Sequence, residues 1–272
     1  MSDFVISARN VRRGAFGSEP AKSRFLLVPG DRSPSPEQST RRKAWLDAVL
    51  SEAHVTTDPD TGQPCGDITI FVHGFNTSTD ELITRHRQFK TALSDAGYPG
   101  AFVSFDWPSA DVAINYLEDR SDAKISALNL VSDGIALLTR RQFRQCEFRL
   151  HVVAHSMGAY VVRSAFDDAD DRPGIAASNW TVSQVCFLGA DVSSASLHLS
   201  DARSRSLYRH CTRLTNYQNP YDRILKLSNV KRAGVAPRAG RRGLPEGHPE
   251  KAINIDCGEH YIETYANTGD NG

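Results

Sequence analysis

The chain has 272 residues, 40% of them hydrophobic and 24% charged, and its 32 Lys and Arg balance 32 Asp and Glu. This composition argues against wholesale disorder and against a polytopic membrane protein, and zero formal charge removes the global field expected of a nucleic-acid or anionic-membrane binder. The length admits one large α/β domain or two small ones.

The N-terminus, Met1 to Asn10, lacks a basic segment followed by a long apolar one, and no window is long and apolar enough to span a bilayer. A cytoplasmic location with no membrane partner is the expectation. Cys65, Cys146, Cys186, Cys211 and Cys257 are scattered and contain no C-x-x-C pair, so neither a zinc site nor a disulfide framework is indicated. Cys146 and Cys186 read as small core residues.

In chain order, Phe4–Ala8 and Ser23–Val28 read as strands, expected to form an antiparallel accessory pair at one edge of a sheet. Pro29 to Thr40 is a loop rich in Pro and Ser. Trp45, Leu46, Val49, Leu50 and Ala53 recur at helical spacing, and Thr56 to Gly66 is a second polar loop. Asp67 to Val72 is a β-branched and aromatic run that ends in His73-Gly74-Phe75-Asn76. Ser78 with Glu81 forms a capping-box pattern ahead of a helical face of Leu82, Phe89 and Leu93.

Ala101–Phe105 reads as a strand broken by Asp106-Trp107-Pro108, and Ile125, Leu128, Ile135 and Leu138 mark a long helix. Arg149 to Ala154 is a buried-strand run leading through His155-Ser156-Met157-Gly158 into a helix. Val182–Leu188, Thr212–Tyr217 and Ala252–Cys257 are further strands, with Ser196–Tyr208 read as helical and the basic, Gly- and Pro-rich stretch Lys231–Glu250 as a long loop. Strands alternating with helices nearly end to end predict a mostly parallel sheet covered on both faces. No low-complexity linker or repeat divides the chain, so a single domain over 1–272 is expected, with a flexible tail from about residue 265.

Ala154-His155-Ser156-Met157-Gly158 has the layout of a nucleophile elbow, a serine on a sharp strand-to-helix turn between small residues, with Ala154 where glycine is commoner. A serine hydroxyl needs a base, an acid to orient that base, and donors for the oxyanion. In this architecture the chain order is Ser, acid, His. His260, directly after the last strand, fits the base better than His248, which precedes that strand. Asp222, in the turn after Tyr217, is preferred as the acid, with Asp191, one strand earlier, as the competitor. The oxyanion donors are expected to be the amides of Met157 and Phe75, with His73 shaping the loop and His155 structural. Trp107 is read equally as lining an acyl pocket or as packing.

Together, His73-Gly74-Phe75-Asn76, Phe105-Asp106-Trp107-Pro108, Ala154 to Gly158, Tyr221-Asp222-Arg223 and Gly258-Glu259-His260-Tyr261 resemble the α/β-hydrolase superfamily, and more narrowly the esterase/lipase-like DUF900 hydrolases. The resemblance implies an α/β-hydrolase fold with a mostly parallel central sheet of about eight strands, a Ser-His-Asp triad, and no metal or organic cofactor.

The expected activity is hydrolysis of a carboxylic ester through an acyl-enzyme, with a small soluble ester preferred. A lipase or thioesterase using the same triad, or a non-catalytic hydrolase-fold binding module, is the alternative. The stretch Ser109–Ser126 is the best cap candidate, short and charged. The arginines from 203 to 213, Lys231-Arg232 and Arg238 to Arg242 read as solvated surface, because they lack the interleaved aromatic residues of a nucleic-acid binder.

Overall fold

A computed structural model describes residues 2–60, 62, 64–109, 116–139, 147–176, 180–225 and 236–265. Its strands are β1 (Ser2–Arg12), β2 (Ala15–Pro29), β3 (Ser39–Thr40), β4 (His54–Thr57), β5 (Pro64–Val72), β6 (Ala101–Asp106), β7 (Glu147–His155), β8 (Val182–Leu188), β9 (Cys211–Gln218) and β10 (Ala252–Asp256). They form one 10-stranded sheet in the order β10-β9-β8-β7-β5-β6-β1-β2-β3, with β4 paired to β5. The sheet is therefore larger than the expected eight strands. The additional short strands β3 and β4 fall at the margins of stretches read as loops. β4 is exposed along its whole length, so no burial pattern marks it, and it exists by pairing with the start of β5.

The segment from β6 through β5, β7, β8 and β9 to β10 is parallel throughout. β1 joins β6 in parallel while pairing antiparallel with β2, so only part of the N-terminal pair has the expected edge orientation. β5 and β6 are buried along nearly their full length, which explains why they read as continuous apolar runs.

The helices are α1 (Arg42–Ala53), α2 (Thr79–Asp95), α3 (Tyr116–Asn129), α4 (Ala136–Thr139), α5 (Gly158–Asp170), α6 (Pro173–Ala176), α7 (Ala202–His210), α8 (Ala239–Arg242) and α9 (Gly258–Tyr265). A π-helical turn at Leu130–Ile135 interrupts the long helix between α3 and α4. The helix expected over Ser196–Tyr208 begins only at Ala202, where the Asp201 side chain caps it after a 3₁₀ turn. The capping box at Ser78 and Glu81 forms as its spacing predicts.

The sheet is covered on both faces. Phe4, Ile6 and Ala8 of β1 enter the larger core with Trp45 of α1 and the apolar side of α5, whereas Val5 packs with Leu82 and Ile83 of α2 on the other face. On the α2 face, Arg87 Nε donates to Asp3 Oδ2 at 2.8 Å and His86 Nε2 stands 3.5 Å from Asp3 Oδ1. Burial alone would raise the Asp3 pKa, but the contacts with His86 and Arg87 outweigh it and hold the group at about 2. Because the folded pKa lies below the unfolded one, this stabilisation is present above about pH 4 and is lost as pH falls toward 2; it amounts to roughly 2 kcal/mol. Urea unfolding at pH 5 and pH 2.5 is expected to show a smaller loss of stability in Asp3→Asn than in the wild type.

The strand order reverses at β5, since β6 lies on one side of it and the chain then returns to place β7 on the other. A crevice at the carboxyl ends of strands forms at such a switch point. Here β5 ends one residue before His73-Gly74, and β7 ends one residue before Ser156.

Candidate active site

Ser156 has φ 51°, in the left-handed region, a conformation that raises the energy of a non-glycine residue by about 1–3 kcal/mol. Its backbone is clamped on both sides: Ser156 N–H donates to Leu188 O at 2.9 Å, and Asp191 N–H donates to Ser156 O at 3.0 Å. The turn brings α5 so close to β5 that a Cβ on Gly158 would lie 2.4 Å from Val72 O and 2.6 Å from His73 O. Glycine is therefore required there. Ala154, by contrast, is fully buried with its methyl accommodated, so the elbow does not need a glycine at that position. Met157 precedes the first residue of α5, and its amide belongs to the helix-terminal donors that the helix itself leaves unpaired.

The loop after β5 lies directly against this turn, since a Cβ on Gly74 would come 3.0 Å from Ser156 Cβ and 2.9 Å from His155 Nδ1. Phe75 follows, half-buried against the main core, and Asn76 adopts a left-handed φ of 52°. His73 is fully buried. Its Nδ1 faces Gly74 O at 2.8 Å and must donate, while its Nε2 accepts from Trp107 N–H at 3.1 Å. Burial lowers the His73 pKa, and the nearby Asp106 does not reverse that shift, so the ring is neutral and its tautomer is set by its partners. Trp107 is fully buried, stacks on His73 with 5.4 Å between centroids, and donates from Nε1 to His73 O at 2.9 Å. It is a packing residue and does not line an open pocket. Burial, assisted by the charge of Arg85, lowers His155 to about 4, so this ring is also neutral near pH 7.

Asp222 lies in the turn after β9, where its Oδ1 accepts from Leu225 N–H at 2.8 Å, the Asx role open to such a residue. Its Oδ2 would stand 3.8 Å from a Cβ on Gly189, next to the Leu188 whose carbonyl holds Ser156. Burial raises the Asp222 pKa against the pull of the Leu225 and Ile224 amides and of Arg241. His260 is exposed in the first turn of α9. Gln218 and Asp256 are register partners at the ends of β9 and β10, and Asp222 and His260 each follow four residues later. The start of α9 packs on the Asp222 turn, as a Cβ on Gly258 would lie 3.0 Å from Tyr221 and 3.1 Å from Pro220. The acid and base candidates thus occupy adjacent turns at the same end of the sheet as Ser156. His248 is committed elsewhere, with Nδ1 2.7 Å from Pro245 O in the turn before β10.

Asp191 is buried and ion-paired with Arg238, Nε to Oδ1 3.1 Å. This corrects the reading of Arg238 as solvated surface. Residues 237–243 are stitched onto the loop after β8 through Ser194 N–H to Pro237 O, Ala239 N–H to Val192 O and Gly240 N–H to Ala190 O. A Cβ on Gly240 would fall 2.1 Å from Ala190 N, so this clasp also depends on a glycine. The part of the expected long loop that is described here is a clasp with one helical turn, α8, while Lys231-Arg232 lies outside the described residues. Cys146, the tail beyond 265 and residues 110–115 of the cap candidate also lie outside them, and the rest of that candidate from Tyr116 on belongs to α3.

Sequence reasoning missed Ser7, Arg9 and Thr77. Arg9 Nε donates to Asp106 Oδ1 at 2.8 Å and Nη2 to Thr77 O at 2.8 Å, while Ser7 Oγ donates to Asp106 Oδ2 at 2.7 Å. The available signal was an alternation in β1, where Asp3, Ser7 and Arg9 share with Val5 the face opposite Phe4, Ile6 and Ala8. A cavity of about 250 Å³ is lined by Thr56, Cys65, Asp67, Pro99 and Arg149. It lies at the amino ends of β5 and β7, the end of the strands opposite Ser156. Among the described residues no group of three or more His, Cys, Asp or Glu gathers as a metal site, and no helix is long and apolar enough to cross a membrane.

A mostly parallel sheet with a left-handed serine at its switch point defines an α/β-hydrolase architecture. Residues 51–244 match the family described as alpha/beta hydrolase of unknown function (DUF900), and the chain belongs to that family. A 62-residue stretch is 36% identical to an uncharacterized protein, alr1448, of Nostoc sp.; it covers 23% of this chain and 15% of that protein's length. Among solved structures, the metagenome-derived lipolytic enzymes LipS and LipT share 13% identity over 76% of this chain and 88% of theirs, with a TM-score of 0.37. An inhibited esterase B of Lactobacillus rhamnosis shares 10% identity over 79% of this chain and 80% of its own, with a TM-score of 0.36. The phospholipase PlaB of Legionella pneumophila, in complex with thio-NAD, shares 16% identity over 58% of this chain and 40% of its own, with a TM-score of 0.32.

Proposed function

We propose that the protein is a serine hydrolase that cleaves a carboxylic ester. The observation that carries this reading is the left-handed Ser156 pressed against Gly74 at the switch point of the sheet, a strained placement that an ordinary helix cap does not require. His260 takes the hydroxyl proton as Ser156 Oγ attacks the ester carbonyl, and the amides of Phe75 and Met157 receive the oxyanion. The alcohol leaves with the proton from His260. Water then loses a proton to His260 and attacks the acyl-enzyme, and collapse of the second tetrahedral intermediate releases the acid and returns the proton to Ser156.

Asp222 serves as the acid that orients and stabilises the imidazolium. It lies in the turn against which the helix carrying His260 packs, whereas Asp191 already holds Arg238. Fluorophosphonate labelling of the intact protein, located by peptide mass, tests the nucleophile; a label on any residue other than Ser156 rejects the assignment. Asp222→Asn is expected to lower kcat by roughly 10⁴-fold, the scale for loss of a triad acid. Asp191→Asn is expected to affect thermal stability more than kcat, and the reverse ranking would transfer the acid role to Asp191.

A specific observation favours a lipid-ester variant of the same activity. Tyr221 and Ile224, 52% and 59% exposed, flank Asp222. These place apolar surface at the rim of the proposed site, where an acyl chain or lipid interface would gain from contact. Turnover of p-nitrophenyl esters from acetate to palmitate separates the two: a maximum at short chains supports the small soluble ester, and a maximum at long chains supports the lipid.

A further inference from the structure

We propose that the buried Arg9–Asp106 ion pair is the device that sets the shape of the oxyanion loop, making both residues positioning residues for ester hydrolysis. The inference rests on the reading of Phe75 N–H as an oxyanion donor. The loop runs from His73 to Thr77, and the pair reaches both of its ends, the first through a neighbouring residue and the second directly. At the first, Trp107, which follows Asp106, donates its amide to His73 Nε2 at 3.1 Å and its indole Nε1 to His73 O at 2.9 Å. At the second, the Arg9 guanidinium spans Asp106 and Thr77 O, using Nε for the carboxylate and Nη2 for the carbonyl.

The loop is then closed on itself and braced from the segment after β6. Thr77 Oγ1 donates to Gly74 O at 3.2 Å, and Thr77 N–H donates to Ser109 Oγ at 3.1 Å. Phe75 and the left-handed Asn76 lie between these fixed ends. Every side chain of this network is buried: Arg9 is 6% exposed, and Ser7, His73, Thr77 and Asp106 are fully enclosed.

Stability alone is a poor reason for such an arrangement. Taking two charges out of water is costly, and a well-packed apolar pair of similar volume holds a core as well or better. A planar fork that grips a carboxylate and a carbonyl in fixed directions supplies what an apolar pair lacks, a defined geometry. That geometry is transmitted to an amide whose direction matters, because a donor displaced by about 1 Å from a developing oxyanion can lower a rate by about 10²-fold. Ser7 and Arg9 also lie before residue 51, outside the segment that matches the family model. The N-terminal strand β1 therefore supplies a working part of the site as well as a strand of the sheet.

Two variants of the full chain test this. Arg9→Lys keeps the charge beside Asp106 but cannot reach the carboxylate and Thr77 O together. Arg9→Met with Asp106→Leu removes both charges and keeps the volume. Hydrogen exchange of the peptide containing residues 73–78, read by mass spectrometry at a temperature where the rest of the chain exchanges as in the wild type, is expected to accelerate at least 10-fold in both.

With p-nitrophenyl acetate, kcat is expected to fall about 10-fold in Arg9→Lys and about 100-fold in the double variant, with KM within twofold of wild type. A folded double variant with wild-type exchange in this peptide overturns the proposal whatever the kinetics. Faster exchange with unchanged kcat overturns it as well, because the loop would then be ordered without consequence for the reaction. A wild-type protein that neither turns over the ester nor is labelled at Ser156 rejects the esterase reading in its own right, and the exchange measurement still decides whether the ion pair shapes the loop.

Discussion

Ser156→Ala is expected to abolish fluorophosphonate labelling and to lower ester turnover by roughly 10⁴-fold or more, the scale on which a triad nucleophile is missed. Loss of activity alone would not separate a nucleophile from a structural cap, so stability provides the second readout. Alanine keeps the left-handed strain at φ 51°, and the clamp through Leu188 O and Asp191 N–H is made by backbone atoms that remain. The alanine variant should therefore melt close to the wild type. Glycine relieves the strain, and the gain of about 1–2 kcal/mol exceeds the 0.5–1 kcal/mol that glycine loses through its freer unfolded chain. Ser156→Gly is thus expected to be inactive and slightly more stable than Ser156→Ala. A glycine variant less stable than the alanine one in urea unfolding would mean that the serine backbone is not strained, and would remove the main support for the elbow.

Gly158→Ala is expected to destabilise the fold by about 2–3 kcal/mol, although alanine is the better helix former. Two effects compete at this position. Helix propensity favours alanine by at most about 1 kcal/mol, less at the first turn, where glycine is better tolerated. Against it, the new methyl carbon would lie 2.4 Å from Val72 O and 2.6 Å from His73 O. Both obstacles are main-chain carbonyls, one inside β5 and one at the head of the oxyanion loop, so no rotamer change relieves them. The clash prevails, and the midpoint of thermal unfolding should fall by roughly 4–10 °C. The surviving folded fraction should also hydrolyse ester more slowly, because the displaced carbonyl belongs to His73, which precedes Gly74 and Phe75. A variant with unchanged stability and rate would show that α5 can move away from β5 without consequence.

Much of this site could be read directly in the chain because its demands are local. A left-handed turn between a strand and a helix selects small neighbours, so Ala154, Ser156 and Gly158 carry their geometry in their identities, and the capping box at Ser78 is likewise complete within four residues. The central strands β5 and β6 were legible because burial on both faces makes them nearly continuous apolar runs. Asp222 and His260 could be proposed from chain order, since turns after successive parallel strands fall at the same end of the sheet.

What the sequence did not disclose are contacts between distant elements. Arg9 in β1 and Asp106 at the end of β6 are 97 residues apart, and Arg238 meets Asp191 across another long separation; nothing in a run of arginines distinguishes the one that will be buried. The short strands β3 and β4 were missed for a related reason, since an edge strand that buries little carries no periodic pattern and is created by its neighbour. Local sterics and the periodicity of burial sufficed to set the alternation of strands and helices, the serine turn and the chain order of the candidate acid and base. The number of strands, the neutral tautomer of His73, the packing role of Trp107 and the pairing of buried charges emerge in the folded chain alone, because each depends on which groups approach one another once water has been excluded.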